Sequence, residues 1–455
     1  MIEKITTARE KALLILHKVA QEGAYANLQT AGSLDNGNFS IDDKRLITEL
    51  VYGTLRMQNA LDHILNQLLK KPLSDLPLWI MLILRLSLYQ LLYLEKIPYS
   101  AVVNEGVKLA KRYGHRGTAS LVNGVLRNYL RYREQYTLPQ LSEGAVSYLT
   151  VTLSHPVWLA RYLLDSFGER DAAIFCAYNN QPHDVVIRTN TIKTDRETLL
   201  MELQRRGFTA EAGAFAPEAI RLLRSAGIFD SDLFKKGFFQ AQDESSMLVA
   251  HALSPRKGSK VLDLCAAPGG KTCHLAQLMK NEGKVHAFDI HEHKLDLLKE
   301  NYRRLGLSII EEKAADARYL PQEYKYWADY ILLDAPCSGL GILSRRADAR
   351  WRKSPQDIKT MQKLSREILL AAADYLATLG ILCFSTCTIT KEENQHSIQW
   401  FLQQRSDFEL AAFDHLLPQS LPDEILTQAQ KGMVQLLPQN AGIEGFFISR
   451  LQKKG

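Results

Sequence analysis

Apolar residues recur at three- and four-residue spacing through 12–20, 46–69, 78–94 and 102–110, the period of helices that bury one face. Ser40 and Asp43 ahead of the second segment, and Pro72 behind it, are start and stop signals. The first 135 residues are therefore expected to be all-helical. After a weakly patterned connector at 136–150 the period changes. DVVIRTN (184–190) reads as a strand, ETLLMELQRRG (197–207) as a helix closed by Gly207, and 219–223 and 237–241 as short strands. That predicts a small α/β piece, whose guessed use is to touch substrate. Further on, strand-like runs at 260–264, 284–289, 308–313, 328–334 and 380–386 alternate with helical patterns such as 294–305 and 356–376. This is the pattern of a doubly wound parallel sheet, which late runs at 407–413, 433–437 and 445–451 could finish in antiparallel pairing.

A chain of 455 residues is too long for one core. The reading is a multidomain protein: helices over 1–140, a small α/β subdomain over 150–238 and the larger α/β domain over 239–455. No signal-peptide pattern opens the chain. The apolar run 78–94 carries one charge, Arg85, near its middle, which suits a buried helix better than a bilayer span. Six cysteines with no C-x-x-C pair argue against a disulfide framework and against a zinc site, and no metal is expected. A reducing cytoplasm follows, with a monomer as the default. The net charge of +6 lies wholly in residues 1–140, with 18 Lys and Arg against 12 Asp and Glu. Between Lys96 and Arg133 stand eight basic residues and one acid, Glu105. So dense a basic stretch is a candidate contact for a phosphate backbone.

The chemistry concentrates at predicted strand ends, where ligands of such sheets bind. VLDLCAAPGGKT (261–272) is a strand, a turn of small residues and a helix start. Its small residues let backbone approach a ligand, and the helix N-terminus adds free N–H donors. The next strand ends in Asp289, placed to take both hydroxyls of a ribose. No G-x-G-x-x-G is present, which disfavours a nicotinamide dinucleotide and leaves S-adenosylmethionine as the common alternative.

Two further strand ends carry cysteines, in DAPCSG (334–339) and STCT (385–388). Cys176, Cys273 and Cys383 read as small buried hydrophobes. Cys337 and Cys387 sit among polar and turn-forming residues instead. Beside a methyl donor, a thiolate that adds to carbon 6 of a pyrimidine makes carbon 5 nucleophilic enough to take a methyl group. Asp334 could assist at the ring N3. A second cysteine could assist release, and spacing alone does not choose between the two.

DLCAAPGGKT, Asp289, Ala315-Asp316-Ala317, DAPCSG, STCTITKEEN and GIEGFFISRL together resemble the RNA 5-methylcytosine methyltransferases of the Sun/RsmB (Fmu) kind. ELVYGTLRMQNALDHIL, LRLSLYQLLYLEKIP, NEGVKLAKRYG and LVNGVLRNYLR resemble the NusB-like RNA-binding domain. The resemblance implies a Rossmann-like class I methyltransferase domain and a cytosine of small-subunit (16S) rRNA as substrate. It implies that Cys265, Ala266, Ala267, Pro268, Gly269, Gly270 and Lys271 line the cofactor, with Asp289 on the ribose, Asp316 by the adenine and Asp334 between cofactor and base. It assigns Cys387 as nucleophile and Cys337 to product release, whereas DNA cytosine methyltransferases use the Pro-Cys cysteine. Lys391 and Ala347 stand where the family pattern has proline, which bears on loop geometry. Arg345, Arg346, Arg350, Arg352 and Lys353 around Trp351 are expected to meet phosphates and a stacked or flipped base. A ribosome-assembly or antitermination factor with a vestigial methyltransferase domain is the alternative, and a nicotinamide oxidoreductase is a weaker third.

Overall fold

Ser40 caps the helix α2 (Ile41–Arg56), its hydroxyl accepting the Asp43 N–H, as the sequence predicts. The computed structural model describes residues 7–22, 26, 30 and 39–455. Residues 1–181 with 343–352 make one unit, and 182–342 with 353–455 make the other. In the first, α1 (Ala8–Glu22), α2, α3 (Gln58–Leu68), α4 (Leu78–Tyr93), α5 (Tyr99–Tyr113), α6 (Arg116–Arg131) and α7 (Val157–Asn180) are the main helices. The helix expected over 46–69 is interrupted at Met57 (φ −96°, ψ 17°). The Asn59 N–H donates to Ser154 Oγ there, and its side chain to the Thr150 and His155 carbonyls. These partners lie about 90 residues away, out of reach of any local pattern.

The apolar helix α4 is the centre of this unit, buried among α1, α2, α5 and α6. Gly53 lets α2 meet it closely, since a Cβ there would fall 2.0 Å from the Tyr89 ring. Arg85, the lone charge in the run, makes a bidentate pair with Asp62 at 2.7 Å. No helix among the described residues is long and apolar enough to cross a membrane.

The second unit holds two sheets. The smaller, ordered β2-β3-β1-β4, comprises β1 (Val185–Thr189), β2 (Ala210–Ala212), β3 (Ala219–Leu222) and β4 (Phe239–Ala241), all antiparallel, with α8 (Arg196–Arg205) against it. The three-residue β2 is an edge strand that the sequence pattern does not announce. In the larger sheet β5 (Lys260–Asp263), β6 (Lys284–Asp289), β7 (Ile310–Ala314), β8 (Ala328–Asp334) and β9 (Leu376–Thr386) run parallel in the order β9-β8-β5-β6-β7. The late runs form β10 (Phe408–Leu410), β11 (Met433–Leu436) and β12 (Phe446–Lys453). β12 pairs antiparallel with β9, and β10 and β11 pair antiparallel with β12. The connecting helices α9 (Glu244–Leu253), α10 (Gly270–Leu278), α11 (Glu292–Leu305), α12 (Pro355–Tyr375) and α13 (Gln395–Gln404) pack on the sheet. Because β5 leads to β6 on one side and is paired with β8 on the other, its carboxyl end is the switch point where a ligand crevice opens.

Buried polar contacts join the small sheet to the large one. Arg188, on β1 and fully buried, donates to Gln277 Oε1 (2.9 Å), to Gln240 Oε1 (3.2 Å), to Gln242 and to the Gly270 carbonyl (2.7 Å). Glu218 meets His251 of α9 at 3.0 Å and His274 of α10 at 2.7 Å.

Candidate active site

The turn 265–270 leaves the carboxyl end of β5 and enters α10. Gly269 has φ +98°, and a Cβ there would lie 2.9 Å from Leu298 Cδ1, so the position requires glycine twice over. The Thr272 hydroxyl donates to Asp263 Oδ2 (2.7 Å) beneath the turn. Burial foremost, then the nearby Asp334 charge, raises the Asp263 carboxyl to about 7 despite that hydroxyl. The Cys265 thiol is held well above its ordinary range, first by burial and then by surrounding carboxylates, so it serves as an inert part of the wall.

A cavity of about 320 Å³ opens at these strand ends, within the range of small-ligand sites. Cys265, Ala267, Asp289, Asp316 and Asp334 line it, with apolar cover from Ile290, Pro336 and Ile368. Asp289 is fixed by two backbone donors, the Ala267 N–H on Oδ2 (3.3 Å) and the His291 N–H on Oδ1 (2.9 Å). Asp316 is gripped by the Arg318 guanidinium, whose hydrogen bonds lower its carboxyl below the usual range. Arg318 in turn pairs with Glu367 at 2.7 Å.

Ala266, Pro268, Gly269 and Gly270 shape the turn and are not in the cavity wall itself. Ala266 is buried and Pro268 exposed. Lys271 donates to Asp334 Oδ2 at 2.7 Å, while the Ser385 hydroxyl donates to Oδ1 at 2.7 Å. Burial opposes the Lys271 charge, but Asp334 outweighs it and raises the ammonium, so the ion pair persists at neutral pH.

Cys337 follows Pro336 of the cavity wall, and Cys387 follows β9. Their sulfurs lie 3.4 Å apart, although the residues are 50 positions apart in sequence. The hydrogen bond with Cys387, then burial, hold the Cys337 thiol well above its ordinary range, with smaller contributions from Glu393 and Asp334. Cys176, Cys273 and Cys383 are buried, as expected of small hydrophobes.

Sequence reasoning missed several residues. Arg188 holds the carbonyl of Gly270, and Ser385 shares Asp334 with Lys271. His291 and Lys294 line the cavity from the turn after Asp289. Only the pair after Asp289 had a local signal, two cationic or titratable residues at the start of a helix.

The basic loop is a correction. Residues 343–352 belong to the helical unit, and Arg350 is fully buried in it, donating to the Ser154 carbonyl (3.2 Å), the Asn179 carbonyl (3.1 Å) and Asn180 Oδ1 (2.7 Å). The Trp351 indole donates to the Leu55 carbonyl at 2.7 Å. Arg352 pairs with Asp348 at 3.3 Å, Arg345 and Lys353 are half-buried, and of the five cations only Arg346 is exposed. Arg350 and Trp351 are packing residues, because each satisfies carbonyls that would otherwise be buried without a donor. The eight basic residues between Lys96 and Arg133, by contrast, are all exposed.

A curated relative from Bacillus subtilis (strain 168), named probable ribosomal RNA small subunit methyltransferase B, is 41% identical over 99% of this chain and 100% of its own length. The chain belongs to the 16S rRNA methyltransferase RsmB/F family. The RsmB/F family model matches residues 250–452, a NusB family model matches 6–131, and an RsmF/B-like ferredoxin-like domain model matches 155–228. A Synechocystis protein with the same probable name is 37% identical over 98% of the chain and 99% of its own length. The crystal structure of PH0851 matches with a TM-score of 0.82 at 26% identity, covering 99% of both chains. The RsmB/F architecture is thus a NusB-like helical domain, a small ferredoxin-like subdomain and a methyltransferase domain. Membership of this family supports S-adenosylmethionine as cofactor over a nicotinamide dinucleotide.

Proposed function

We propose that this RsmB/F methyltransferase transfers a methyl group to carbon 5 of a specific cytosine in small-subunit rRNA through a covalent adduct on Cys387. The observation that carries the reading is the 3.4 Å approach of Cys337 and Cys387 beside the cavity that Asp334 lines. S-adenosylmethionine, when bound, supplies the methyl group from its sulfonium centre. Its nucleoside suits a cavity with a doubly anchored carboxylate, Asp289, for ribose hydroxyls and with Ile290 and Ile368 for a ring.

In this mechanism Cys387 attacks carbon 6 as a thiolate, and the carbon 5–carbon 6 electron pair forms the bond to the methyl carbon. As it forms, the bond from that carbon to the donor sulfur breaks, the sulfur keeping the pair and leaving as the neutral thioether S-adenosylhomocysteine. Asp334, oriented by Lys271 and Ser385, stands between cofactor and base, where its carboxylate accepts a hydrogen bond from the N3–H of a cytosine protonated at N3. A base then takes the carbon-5 proton, the carbon 5–carbon 6 double bond re-forms, and the Cys387–carbon 6 bond breaks. Cys337, which keeps its proton at neutral pH, is suited to hydrogen bond the departing Cys387 sulfur. The target cytosine must be unstacked to reach the thiolate. The exposed cations between Lys96 and Arg133 give the NusB-like domain a surface for the rRNA backbone.

Bisulfite sequencing of small-subunit rRNA from cells with and without the protein tests the reading. One cytosine losing protection in the deletion, and regaining it only with the intact enzyme, is expected. Unchanged protection at every rRNA cytosine overturns it in favour of an assembly role.

A further inference from the structure

Glu393 belongs to the turn before α13 and is 1% exposed, too remote from solvent to serve as a surface charge. Its carboxylate binds both cysteine loops. From the loop of Cys337, the next residue donates twice: the Ser338 N–H to Oε1 (2.7 Å) and the Ser338 hydroxyl to Oε2 (2.6 Å). From the loop of Cys387, the Thr388 hydroxyl lies 3.3 Å from Oε2, and the Thr390 hydroxyl donates to it at 2.6 Å. Ser338 and Thr388 also share a hydroxyl contact at 2.7 Å. The residues immediately after the two cysteines are therefore tied to one side chain. Asn394 completes the brace, accepting the Thr386 hydroxyl (2.6 Å) and donating to the Thr388 carbonyl (3.1 Å).

We infer that Glu393 is the positioning residue that sets the distance between the two sulfurs, so that one pyrimidine meets Cys387 while Cys337 stays within reach of the departing sulfur. This rests on the two-cysteine reading above. Only an acceptor can replace it: the Ser338 N–H cannot rotate, and burial makes its loss costly. The charge acts as well. Cys337 faces Cys387 and, further off, Glu393 and Asp334, with Lys271 paired to the latter. Neutralising Glu393 lowers the pH at which Cys337 loses its proton.

The test uses the full chain, tritiated S-adenosylmethionine and small-subunit rRNA from cells lacking the enzyme. Single-turnover methyl transfer, S-adenosylhomocysteine affinity, melting temperature and the pH profile of adduct release are measured for wild type, Glu393→Ala and Glu393→Gln. Glu393→Ala is expected to slow transfer on the order of 10- to 100-fold with cofactor affinity unchanged. Glu393→Gln, whose amide oxygen can still accept the Ser338 N–H, is expected to recover most of the rate with its pH profile moved to lower pH. If Glu393→Ala does not fold, the Gln variant decides alone. A wild-type rate for Glu393→Ala, or a wild-type pH profile for Glu393→Gln, overturns the inference. Cys387→Ala, run in parallel, separates the two failures: full transfer by that variant sinks the two-cysteine mechanism itself, whereas its inactivity beside wild-type Glu393 variants sinks only the positioning role.

Discussion

Cys337 and Cys387 place their sulfurs 3.4 Å apart because β8 and β9 are parallel neighbours with Asp334 opposite Ser385. Cys337 lies three residues past the end of β8 and Cys387 one past the end of β9, so adjacent strand ends bring the two loops together. On the proposed mechanism the pair divides bond making and bond release.

That division predicts opposite phenotypes. Cys387→Ala is expected to abolish methyl transfer and form no adduct while cofactor affinity stays unchanged. Cys337→Ala is expected to trap a protein–RNA adduct, visible on a denaturing gel as a species removed by nuclease. Absence of that species in Cys337→Ala would falsify the release role.

Asp334 is held by Lys271 and Ser385, one donor on each oxygen. Asp334→Asn is expected to reduce single-turnover transfer by about 10²–10⁴-fold, since it removes the charge and one acceptor beside the reacting base. Lys271→Met leaves Ser385 as the remaining donor and is expected to give a smaller loss. Quench-flow measurement with saturating cofactor checks both, and equal rates for Asp334→Asn and wild type would remove Asp334 from the chemistry.

Arg350 carries a buried charge whose burial pushes the guanidinium down to about 9, still a cation at neutral pH. Arg350→Ala strands the Ser154 and Asn179 carbonyls and is expected to destabilise the helical unit by on the order of 3 kcal/mol. Arg346→Ala, at an exposed position, should leave stability unchanged. Denaturant titration of the two variants distinguishes packing from surface roles, and equal midpoints would count against the buried role of Arg350.

The contacts of Glu218 with His251 and His274 make stability depend on pH. Burial, with the Arg188 charge, lowers His274 from 6.5 to about 4, although Glu218 opposes this. The unfolded chain therefore takes up a proton first as pH falls from about 6.5 toward 4, and on the order of 3 kcal/mol is lost across that window. Burial alone would raise Glu218, but the two imidazoles hold it below the usual carboxylate range, so the loss continues below pH 4.5. Melting temperatures should fall steadily from pH 7 to pH 5. A flat profile there is inconsistent with a neutral buried His274.

Local pattern was enough for the elements whose apolar residues form a regular period or an unbroken run. The helices α4 and α5, the parallel strands and the turn after β5 follow from apolar period and small residues. The site's carboxylates were legible because a doubly wound sheet exposes its ligands at strand ends, making Asp289, Asp316 and Asp334 unusual by position alone. The choice between the two cysteines came from family resemblance and not from spacing.

What the tertiary structure decided is where long side chains find partners. Arg350 and Trp351 look identical, in sequence, to cations and an aromatic awaiting RNA, yet they cap carbonyls more than 150 residues away in the chain. Arg188 and Glu393 carry no local mark of function, and they acquire one only when folding sets Gly270, Ser338 and Thr388 against them. The physical reason is the same in each case. Hydrophobic periodicity is a property of neighbours in sequence, whereas the satisfaction of a buried polar group depends on whichever backbone the fold brings alongside.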